Sequence, residues 1–244
     1  MSAGSAPRFS LVVPAFNEER LLPRLLDSVD VARAAYGPDA IEVIVADNGS
    51  TDCTAEIATA QGCRVAPVEK RVIAAARNAG ARVARGEIVA FVDADHQVHP
   101  RIFHEIDRAL ATGRVVAGAS GARMERLSVG IAATYLTLVP IVILTGMDTG
   151  VVFCRKVDFE AVGGFDESRL VAEDVMFLVA LRRLGKSRGQ KLVRLRKAKV
   201  IASTRKFDEF GDWHYFPLMF HGLRHLLKRG DTTFTDRYWY KPKR

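Results

Sequence analysis

Cysteine is scarce in this chain of 244 residues, in which only Cys53, Cys63 and Cys154 occur. An odd number of cysteines without C-x-x-C spacing argues against a disulfide framework and against a structural zinc site. The first residues, MSAGSAPRF, contain neither a basic region nor an apolar run, so no secretory signal is expected. These absences predict a protein of a reducing compartment, the cytoplasm.

Extreme composition is absent as well. Apolar residues make up 48% of the chain and charged residues 26%, which excludes a disordered or collagen-like protein. The length fits one large α/β domain or two small ones. A domain of this size buries enough surface to fold without disulfide bonds.

Acidic residues are scarce towards the C-terminal end. Residues 182–244 contain 18 Lys and Arg but only 5 Asp and Glu, a net charge of +13, whereas residues 1–181 carry −5. Such a positive field indicates an anionic partner. Nucleic acid, an anionic membrane and a nucleoside diphosphate all qualify, and charge alone does not choose among them.

Short apolar runs alternate with helical patterns along the chain. The predicted strands are Phe9–Pro14, Ile41–Ala46, Arg64–Val68, Glu87–Val92, Val115–Ala119, Gly150–Cys154 and Lys199–Ala202. Helices are predicted after an N-cap at Asn17, from Ser50 or Thr51 to Gly62, over Val72–Arg85, from Pro100, and over Glu173–Leu184. This alternation predicts an α/β fold with a mostly parallel sheet.

One long stretch without charge, Leu127–Met147, requires a separate decision. Its 21 residues are enough to cross a bilayer. However, Ser, Thr, Gly and Pro interrupt it, and it lies between motifs that must share one site. A buried helix followed by a strand is therefore predicted, with a membrane-contacting helix as the alternative.

Acidic side chains follow three of the predicted strands, at Glu18, at Asp47 and at Asp93 with Asp95. Ligands of an open parallel sheet bind beyond the carboxyl ends of its strands, and a carboxylate there must be solvated, paired or metal-bound. Two carboxylates one residue apart on extended chain point the same way and suit Mg²⁺ or Mn²⁺. The D-x-D sequence is therefore a candidate metal site.

The sequence resembles the family 2 glycosyltransferases, which have the GT-A fold. The matching motifs, in order, are VVPAFNEE (12–19), DNGSTD (47–52), ARNAGARVARG (76–86), DAD (93–95), GGFDE (163–167) and AED (172–174). Together they cover residues 9 to about 185. The resemblance implies a Rossmann-like central sheet flanked by helices, in a catalytic domain over 1–205. The charge and aromatic pattern of the remaining chain predicts a basic, aromatic-rich helical segment over 206–244.

The resemblance also implies roles for individual residues. Asp95, with Asp93, would hold the divalent metal, and Asp174 would be the general base, with the neighbouring Glu173 as its alternative. The residues expected to contact the nucleotide sugar are Pro14, Ala15, Asn17, Glu18, Asp47, Arg77, Asp93, Ala94 and Asp95. Arg205, which follows a predicted strand, is expected to bring a cation to the diphosphate.

The expected activity is metal-dependent transfer of a sugar from a nucleotide donor, a UDP-sugar, to a hydroxyl acceptor with inversion; retention is the minority alternative. The metal would be Mn²⁺ or Mg²⁺. The acceptor is open, and a lipid-linked or cell-envelope saccharide fits the family. The alternatives are a sugar nucleotidyltransferase, which would need a Gly-rich loop in place of PAFNEE, and a non-catalytic binder of nucleic acid or anionic membrane. A nucleic-acid partner is not expected.

Several of these residues have simpler interpretations. Arg77 could pair only with a nearby carboxylate, and Glu173-Asp174 could place negative charge at a helix N-terminus. His96 is interpreted as a solvated turn residue, and Arg205 could belong to a solvated basic turn. The segment around Arg224, Lys228 and Arg229 is predicted to be an amphipathic helix. It would either lie on the cytoplasmic face of a membrane or pack on the catalytic domain.

Overall fold

The computed structural model describes residues 6–145, 150–169 and 172–217. Their strands form two sheets and are listed here in chain order. They are β1 (Phe9–Ala15), β2 (Ile41–Asp47), β3 (Arg64–Pro67), β4 (Ile88–Phe91), β5 (His96–Gln97), β6 (Val115–Ala119), β7 (Ala122–Met124), β8 (Val152–Arg155), β9 (Lys191–Arg194) and β10 (Val200–Ala202).

The helices separate most of these strands, as the alternating pattern predicts. They are α1 (Leu22–Tyr36), α2 (Thr54–Ala60), α3 (Ile73–Val83), α4 (Ile102–Ala111), α5 (Val129–Thr145), α6 (Lys156–Ala161), α7 (Glu173–Ser187) and α8 (Arg205–Phe210). A short 3₁₀ turn, Pro38–Ala40, leads into β2.

The main sheet has seven strands in the order β3-β2-β1-β4-β8-β6-β9. The pairs β2–β3, β1–β2, β1–β4 and β6–β9 are parallel, and β8 runs antiparallel to both of its neighbours. The predicted mostly parallel α/β sheet is therefore confirmed. A smaller sheet has the order β5-β10-β7, in which Ala202 pairs with His96.

Apolar layers cover both faces of the main sheet because side chains alternate along each strand. On β1, Leu11 and Val13 pack with α1 and α4, whereas Val12 faces the opposite layer, with α3, α6 and α7. All seven residues of β1 are buried, which is typical of a strand covered by helices on both sides.

The chain divides into two compact units. The first comprises Met1–Arg123 and Gly146–Ala202, and the second comprises Met124–Thr145 and Ser203–Arg244. The main sheet belongs to the first unit. Most of 206–244 lies outside the described residues, as does the predicted amphipathic helix around Arg224, so the boundary at residue 205 stays a prediction.

The start of the first helix differs from the prediction. Asn17 does not cap a helix, because α1 begins at Leu22 after a turn in which the Glu18 carbonyl accepts from the amides of Leu21 and Leu22. Asn17 instead has a φ of 54°, and its side chain accepts a hydrogen bond from the amide of Thr51, at 2.8 Å.

The uncharged stretch forms α5, as predicted, but α5 is not buried all round. Ile131 and Thr134 are buried, whereas Val129 and Leu136 are each 78% exposed. One side of the helix packs closely on the turn at Asp212, whose backbone oxygen would lie 2.7 Å from a Cβ added at Gly130, and Val129 and Leu136 remain uncovered. In the described part of the chain, no helix combines the length and the apolar content that a membrane span requires.

Candidate functional site

The carboxyl ends of β1, β2 and β4 lie at one edge of the main sheet. Ala15 pairs with Asp47 across β1 and β2, and Val12 pairs with Phe91 across β1 and β4. The polar residues that follow these strands therefore meet at this edge, as the sequence predicts, in the position where parallel α/β sheets bind ligands.

Hydrogen bonds join the loops that follow β1 and β2. The amide of Asn17 donates to Ser50 Oγ at 3.0 Å, and the amide of Glu18 donates to Thr54 Oγ1 at 2.8 Å. Asp47 Oδ1 accepts from the amide of Ser50 at 3.2 Å. Pro14 and Ala15 themselves are buried strand residues, so their side chains belong to the core.

Asp93 and Asp95 follow β4 in a turn and not on extended chain. The carbonyl of Asp93 accepts from the amide of His96 at 3.1 Å, which closes the turn. Ala94 lies in the core, while the two aspartates are half-buried. The predicted common orientation is nevertheless obtained, because the turn gathers ligand atoms of Asp93, Asp95 and His96 within 4.8 Å of one another.

His96 belongs to this group, and its interpretation as a solvated turn residue is wrong. Its side chain is only 12% exposed, and Nδ1 lies 4.0 Å from Asp93 Oδ2 and 3.9 Å from Asp95 Oδ1. Its backbone lies in β5, which pairs with β10. Nδ1 is buried without a hydrogen-bond partner among the described residues. Such an atom fits the role of a ligand to a cation. Two carboxylates and an imidazole fit a divalent metal.

Arg77 reaches this edge from α3. Five alanines on α3 are buried, and a Cβ added at Gly80 would collide with Val12 of β1, so the helix packs closely on the sheet. Arg77 lies three residues before Gly80 and therefore on the same side of the helix. Its guanidinium donates from Nη2 to Asp93 Oδ1 at 2.9 Å and from Nη1 to Glu173 Oε1 at 2.8 Å.

Burial and charge act against each other in this triad. Burial would lower the pKa of Arg77, but the carboxylates of Asp93 and Glu173 outweigh it and raise that pKa. Burial raises the pKa of Glu173, assisted by the neighbouring Asp174 and opposed by Arg77. The simpler interpretation of Arg77, pairing with nearby carboxylates, is therefore what the structure shows, and a nucleotide contact stays a prediction.

Asp174 and Glu173 point to different surroundings at the start of α7. Glu173 is buried on Arg77, whereas Asp174 lines a cavity of about 60 Å³ with Arg77, Phe91, Asp93, Gly150, Val152 and Phe165. Ala172, just before them, has a φ of 58°, a left-handed conformation that it shares only with Asn17 among the described non-glycine residues. Such strain concentrates at functional sites, and both residues flank this edge.

The turn at residues 163–167 is tied to α3 by Asn78. The Asn78 amide donates to the carbonyl of Phe165 and accepts from its N–H, both at 2.9 Å. Phe165 in turn lies under Arg77, with 5.3 Å between the guanidinium carbon and the ring centroid. Sequence reasoning missed Asn78 and misinterpreted His96. Each adjoins a motif residue, Arg77 and Asp95 respectively, and that adjacency was the available signal.

Arg205 is the remaining predicted site residue. It begins α8 in the second unit, and its amide donates to Ser203 Oγ at 3.1 Å. Its contact with a donor diphosphate stays a prediction.

The fold and the acidic sheet edge define a GT-A protein, and solved structures agree. Two similar ones are S. aureus TarS 1–349 in complex with UDP-GlcNAc and the mannosyltransferase PcManGT from Pyrobaculum calidifontis in complex with GDP-Man and Mn²⁺. The first has a TM-score of 0.65 at 21% identity over 81% of this chain and 58% of its own. The second has a TM-score of 0.65 at 24% identity over 80% and 56%. At these identities the likeness shows the fold.

Residues 10–128 match the family model described as "Glycosyl transferase family 2", and this match supports a family 2 glycosyltransferase. A validoxylamine A glucosyltransferase of Streptomyces hygroscopicus subsp. limoneus is 37% identical over 93 residues, covering 36% of this chain and 20% of the relative. An undecaprenyl-phosphate 4-deoxy-4-formamido-L-arabinose transferase of Pseudomonas paraeruginosa is 35% identical over 116 residues, covering 45% and 34%. The chain thus spans less than half of the length of these curated relatives.

Proposed function

We propose that the chain transfers a sugar from a nucleoside-diphosphate donor, in the first instance a UDP-sugar, to a hydroxyl acceptor. One observation carries the proposal: a partly exposed carboxylate, Asp174, and the metal-candidate carboxylate Asp93 line the same small cavity, which Arg77 also lines. An acid that can take a proton thus adjoins a group of acids that can hold a cation.

Asp93, Asp95 and His96 would hold the cation. Mg²⁺ prefers oxygen ligands, while an imidazole nitrogen suits transition metals, so the presence of His96 favours Mn²⁺ over Mg²⁺. When bound, the cation supplies electrostatic stabilisation of the charge that develops on the leaving diphosphate. PcManGT, which shares the fold, binds GDP-Man and Mn²⁺.

Asp174 is the residue proposed as general base. The acceptor hydroxyl is a weak nucleophile until a positioned carboxylate accepts its proton. Glu173 is unsuited to this role because its Oε1 is bound to Arg77. The cavity of about 60 Å³ that Asp174 lines offers room for the reacting hydroxyl. Attack from this side with direct displacement inverts the anomeric carbon.

The donor would lie along the loops that follow β1 and β2. Pro14 and Ala15 would contribute backbone groups, because their side chains are buried, and Asn17, Glu18 and Asp47 would contribute polar ones. Support for a nucleotide sugar comes from S. aureus TarS, which binds UDP-GlcNAc with a similar fold. Arg77 would hold Asp93 in place and offer positive charge beside the diphosphate.

The acceptor is proposed to be a lipid-linked or cell-envelope saccharide or lipid, met at the cytoplasmic face of a membrane. The name of the Pseudomonas relative, an undecaprenyl-phosphate transferase, supports this class of acceptor. So does the net charge of +13 over residues 182–244, because a basic segment is attracted to anionic lipid.

The test is thermal unfolding with nucleotides and metals, since a ligand that binds only the native state raises its melting temperature. We expect UDP to stabilise the protein with Mn²⁺ and not with EDTA. Asp95→Ala should abolish this stabilisation and turnover while the protein stays folded. Asp39→Ala, at an exposed acid of the 3₁₀ turn, is the matched control and should behave as the wild type does.

The other possible outcomes would each contradict a different part of the proposed function. If UDP stabilised Asp95→Ala in EDTA as much as it stabilises the wild type with Mn²⁺, the metal assignment would be refuted. Nucleotide binding without turnover of any sugar donor would favour a non-catalytic binder. Release of pyrophosphate from a nucleoside triphosphate and a sugar phosphate would indicate a nucleotidyltransferase.

A further inference from the structure

The carboxyl edge of the main sheet carries a basic feature apart from the site described above. Residues 195–199, with the sequence Leu-Arg-Lys-Ala-Lys, connect β9 to β10 and are called the basic loop here. The whole of the chain between Asp174 and Asp208 contains no acidic residue. The proposed catalytic mechanism assigns no function to this loop.

Buried residues fix the path of the basic loop. Leu195 and Ala198 lie in the core, and Val200, just after the loop, is fully buried. Backbone bonds hold its two ends: Leu195 N–H donates to Ala119 O at 2.9 Å, and Val200 N–H donates to Gly121 O at 3.1 Å. The cationic residues alternate with these anchors, and Arg196, Lys197 and Lys199 are exposed. The loop therefore presents three cations on a fixed backbone.

The register of the strands locates the loop relative to the cavity. Phe91 pairs with Val152, Val152 with Ala119, and Ala119 with Arg194. Phe91 and Val152 line the cavity. Three strand spacings thus separate Phe91 from Arg194, about 14 Å along the sheet edge. At its other end the loop leads into Ala202, which pairs with His96, so Lys199 is about 10 Å from His96 along the strand.

These cations are available for a ligand. Arg196, Lys197 and Lys199 form no ion pair within the part of the chain that the structure describes. Their backbone also lies at a distance from the candidate metal ligands. Metal–oxygen bonds of about 2 Å keep a metal-bound diphosphate next to Asp93 and Asp95, whereas the loop is about 10–14 Å distant. An anionic group that lies farther from the metal than the diphosphate does is a better ligand for the three cations of the loop.

We propose that the basic loop binds a phosphate group carried by the acceptor, so that the substrate that supplies the hydroxyl is a phosphorylated one. That the phosphate belongs to the acceptor rests on the proposed function. The binding of phosphate by the loop does not depend on it. The phosphate can belong to a lipid or to a small hydrophilic molecule. Both present the same charge to Arg196, Lys197 and Lys199.

The experiment measures binding of three probes in EDTA, which leaves the metal-dependent donor site unloaded. The probes are inorganic phosphate, glycerol phosphate as the hydrophilic source, and octyl phosphate as the lipid-like source. A variant with Arg196→Gln, Lys197→Gln and Lys199→Gln should bind them about 100-fold more weakly, from about fivefold per cation. Preference of the wild type for octyl or for glycerol phosphate identifies the source.

A matched variant removes the same charge elsewhere. Arg183, Lys186 and Lys191 are exposed and lie towards the amino edge of β9, the opposite end of the sheet. Their replacement by Gln should leave phosphate binding within about twofold of the wild type. Equal weakening in both variants would show a general charge effect and overturn the proposal, as would a wild type that binds none of the probes.

A second readout separates this proposal from the proposed function. Stabilisation by UDP with Mn²⁺ should be the same in the basic-loop variant and in the wild type. A wild type that binds phosphate through the loop but is not stabilised by UDP and Mn²⁺ would refute the UDP-sugar donor of the proposed function and leave the anion site. A basic-loop variant that loses UDP and Mn²⁺ binding would instead assign these cations to the donor.

Discussion

Two adjacent acids, Glu173 and Asp174, have different chemical surroundings because of one arginine. Arg77 is 7% exposed and binds Glu173 and Asp93 through different nitrogens. A buried carboxylate needs such a partner, because an unpaired buried charge is costly. Asp174 has its side chain on the cavity instead. The sequence Glu-Asp cannot distinguish these roles, since only the fold shows which of the two meets Arg77.

We therefore expect Asp174→Asn and Glu173→Gln to fail in different ways. Asp174→Asn keeps the shape but cannot accept a proton, so kcat should fall about 10²–10⁴-fold with little change in donor affinity. Glu173→Gln should mainly lower stability, because it weakens a buried ion pair. Single-turnover kinetics and urea unfolding of both variants check this. Loss of donor binding in Asp174→Asn would place that residue in the nucleotide pocket.

Arg77→Met should destabilise the protein by about 3–5 kcal/mol, because Glu173 then loses its buried cation. The deficit should depend on pH. Without Arg77, burial raises the pKa of Glu173 further above that of the unfolded chain. The native state then binds a proton more tightly than the unfolded state, so acidification stabilises it.

Urea unfolding of this variant at several pH values measures the effect. The deficit relative to the wild type should be greatest near about pH 8 and should shrink as the pH approaches about 5. The double variant Arg77→Met with Glu173→Gln, which has no charge at residue 173, is the control and should lose this pH dependence. A deficit that grows on acidification would contradict the assigned direction of the Glu173 pKa.

At the scale of single elements, the turn at residues 163–167 is subject to two constraints, a left-handed backbone and close packing. Two neighbouring glycines allow the two to be measured separately. Gly163 and Gly164 have φ values of 79° and 74°, so alanine is strained at both. Only Gly164 is also crowded: an added Cβ would lie 2.7 Å from Asn78 Oδ1, whereas at Gly163 nothing lies within 4 Å. The pair thus offers a variant and its control in one turn.

We expect Gly163→Ala to cost about 1–2 kcal/mol, from the left-handed backbone alone. Gly164→Ala should cost about 1–3 kcal/mol more, because the Asn78 amide must move away from the backbone of Phe165 and the Phe159 ring, 2.9 Å from the added Cβ, must also shift. Urea unfolding gives both values. Equal losses would mean that Asn78 yields without cost and does not hold the turn.

Elements with a strong apolar pattern were predictable, and those that depend on partners were not. Phe9–Pro14 and Ile41–Ala46 became β1 and β2 within a residue or two, because buried strands need apolar runs wherever they pair. Arg64–Val68 became β3, an edge strand that is only partly buried. β5 has two residues and exists only through its pairing with β10, so no local pattern marks it. The antiparallel direction of β8 likewise depends on its neighbours.

The same distinction applies to the candidate site. The acidic residues at Asp47, Asp93 and Asp95 were found because strand ends and acids are both visible in the sequence. His96 was misread because β5, in which it lies, forms only by pairing with β10, more than a hundred residues later. Asn17 was misread as a helix cap because Asn has the same short polar side chain in a cap and in a cross-loop bond. Its partner, Thr51, follows a different strand.

At the scale of the whole molecule, the second unit exposes apolar side chains. Val129, Ala132 and Leu136 of α5 are exposed at helical spacing, three and four residues apart, which places them on one face. Trp213, in the same unit, is 56% exposed, and tryptophan favours the membrane interface. Arg224, Lys228 and Arg229 lie further along the chain, outside the described residues. An exposed apolar face and a basic segment in one chain are typical of proteins that lie on anionic bilayers.

We therefore expect the protein to sediment with phosphatidylglycerol vesicles and not with phosphatidylcholine vesicles, and to be released as salt rises. Replacing Arg224, Lys228 and Arg229 by Gln should weaken binding about fivefold per cation.

Val129→Ser with Leu136→Ser should weaken vesicle binding about tenfold or more at any salt concentration, because partial immersion of two aliphatic side chains is lost. Val31→Ser with Val157→Ser, at residues exposed in the first unit, is the matched control and should bind as the wild type does. Equal recovery of the wild type in the supernatant with both lipids at low salt would refute membrane attachment, and equal weakening by the two serine pairs would remove α5 from the contact.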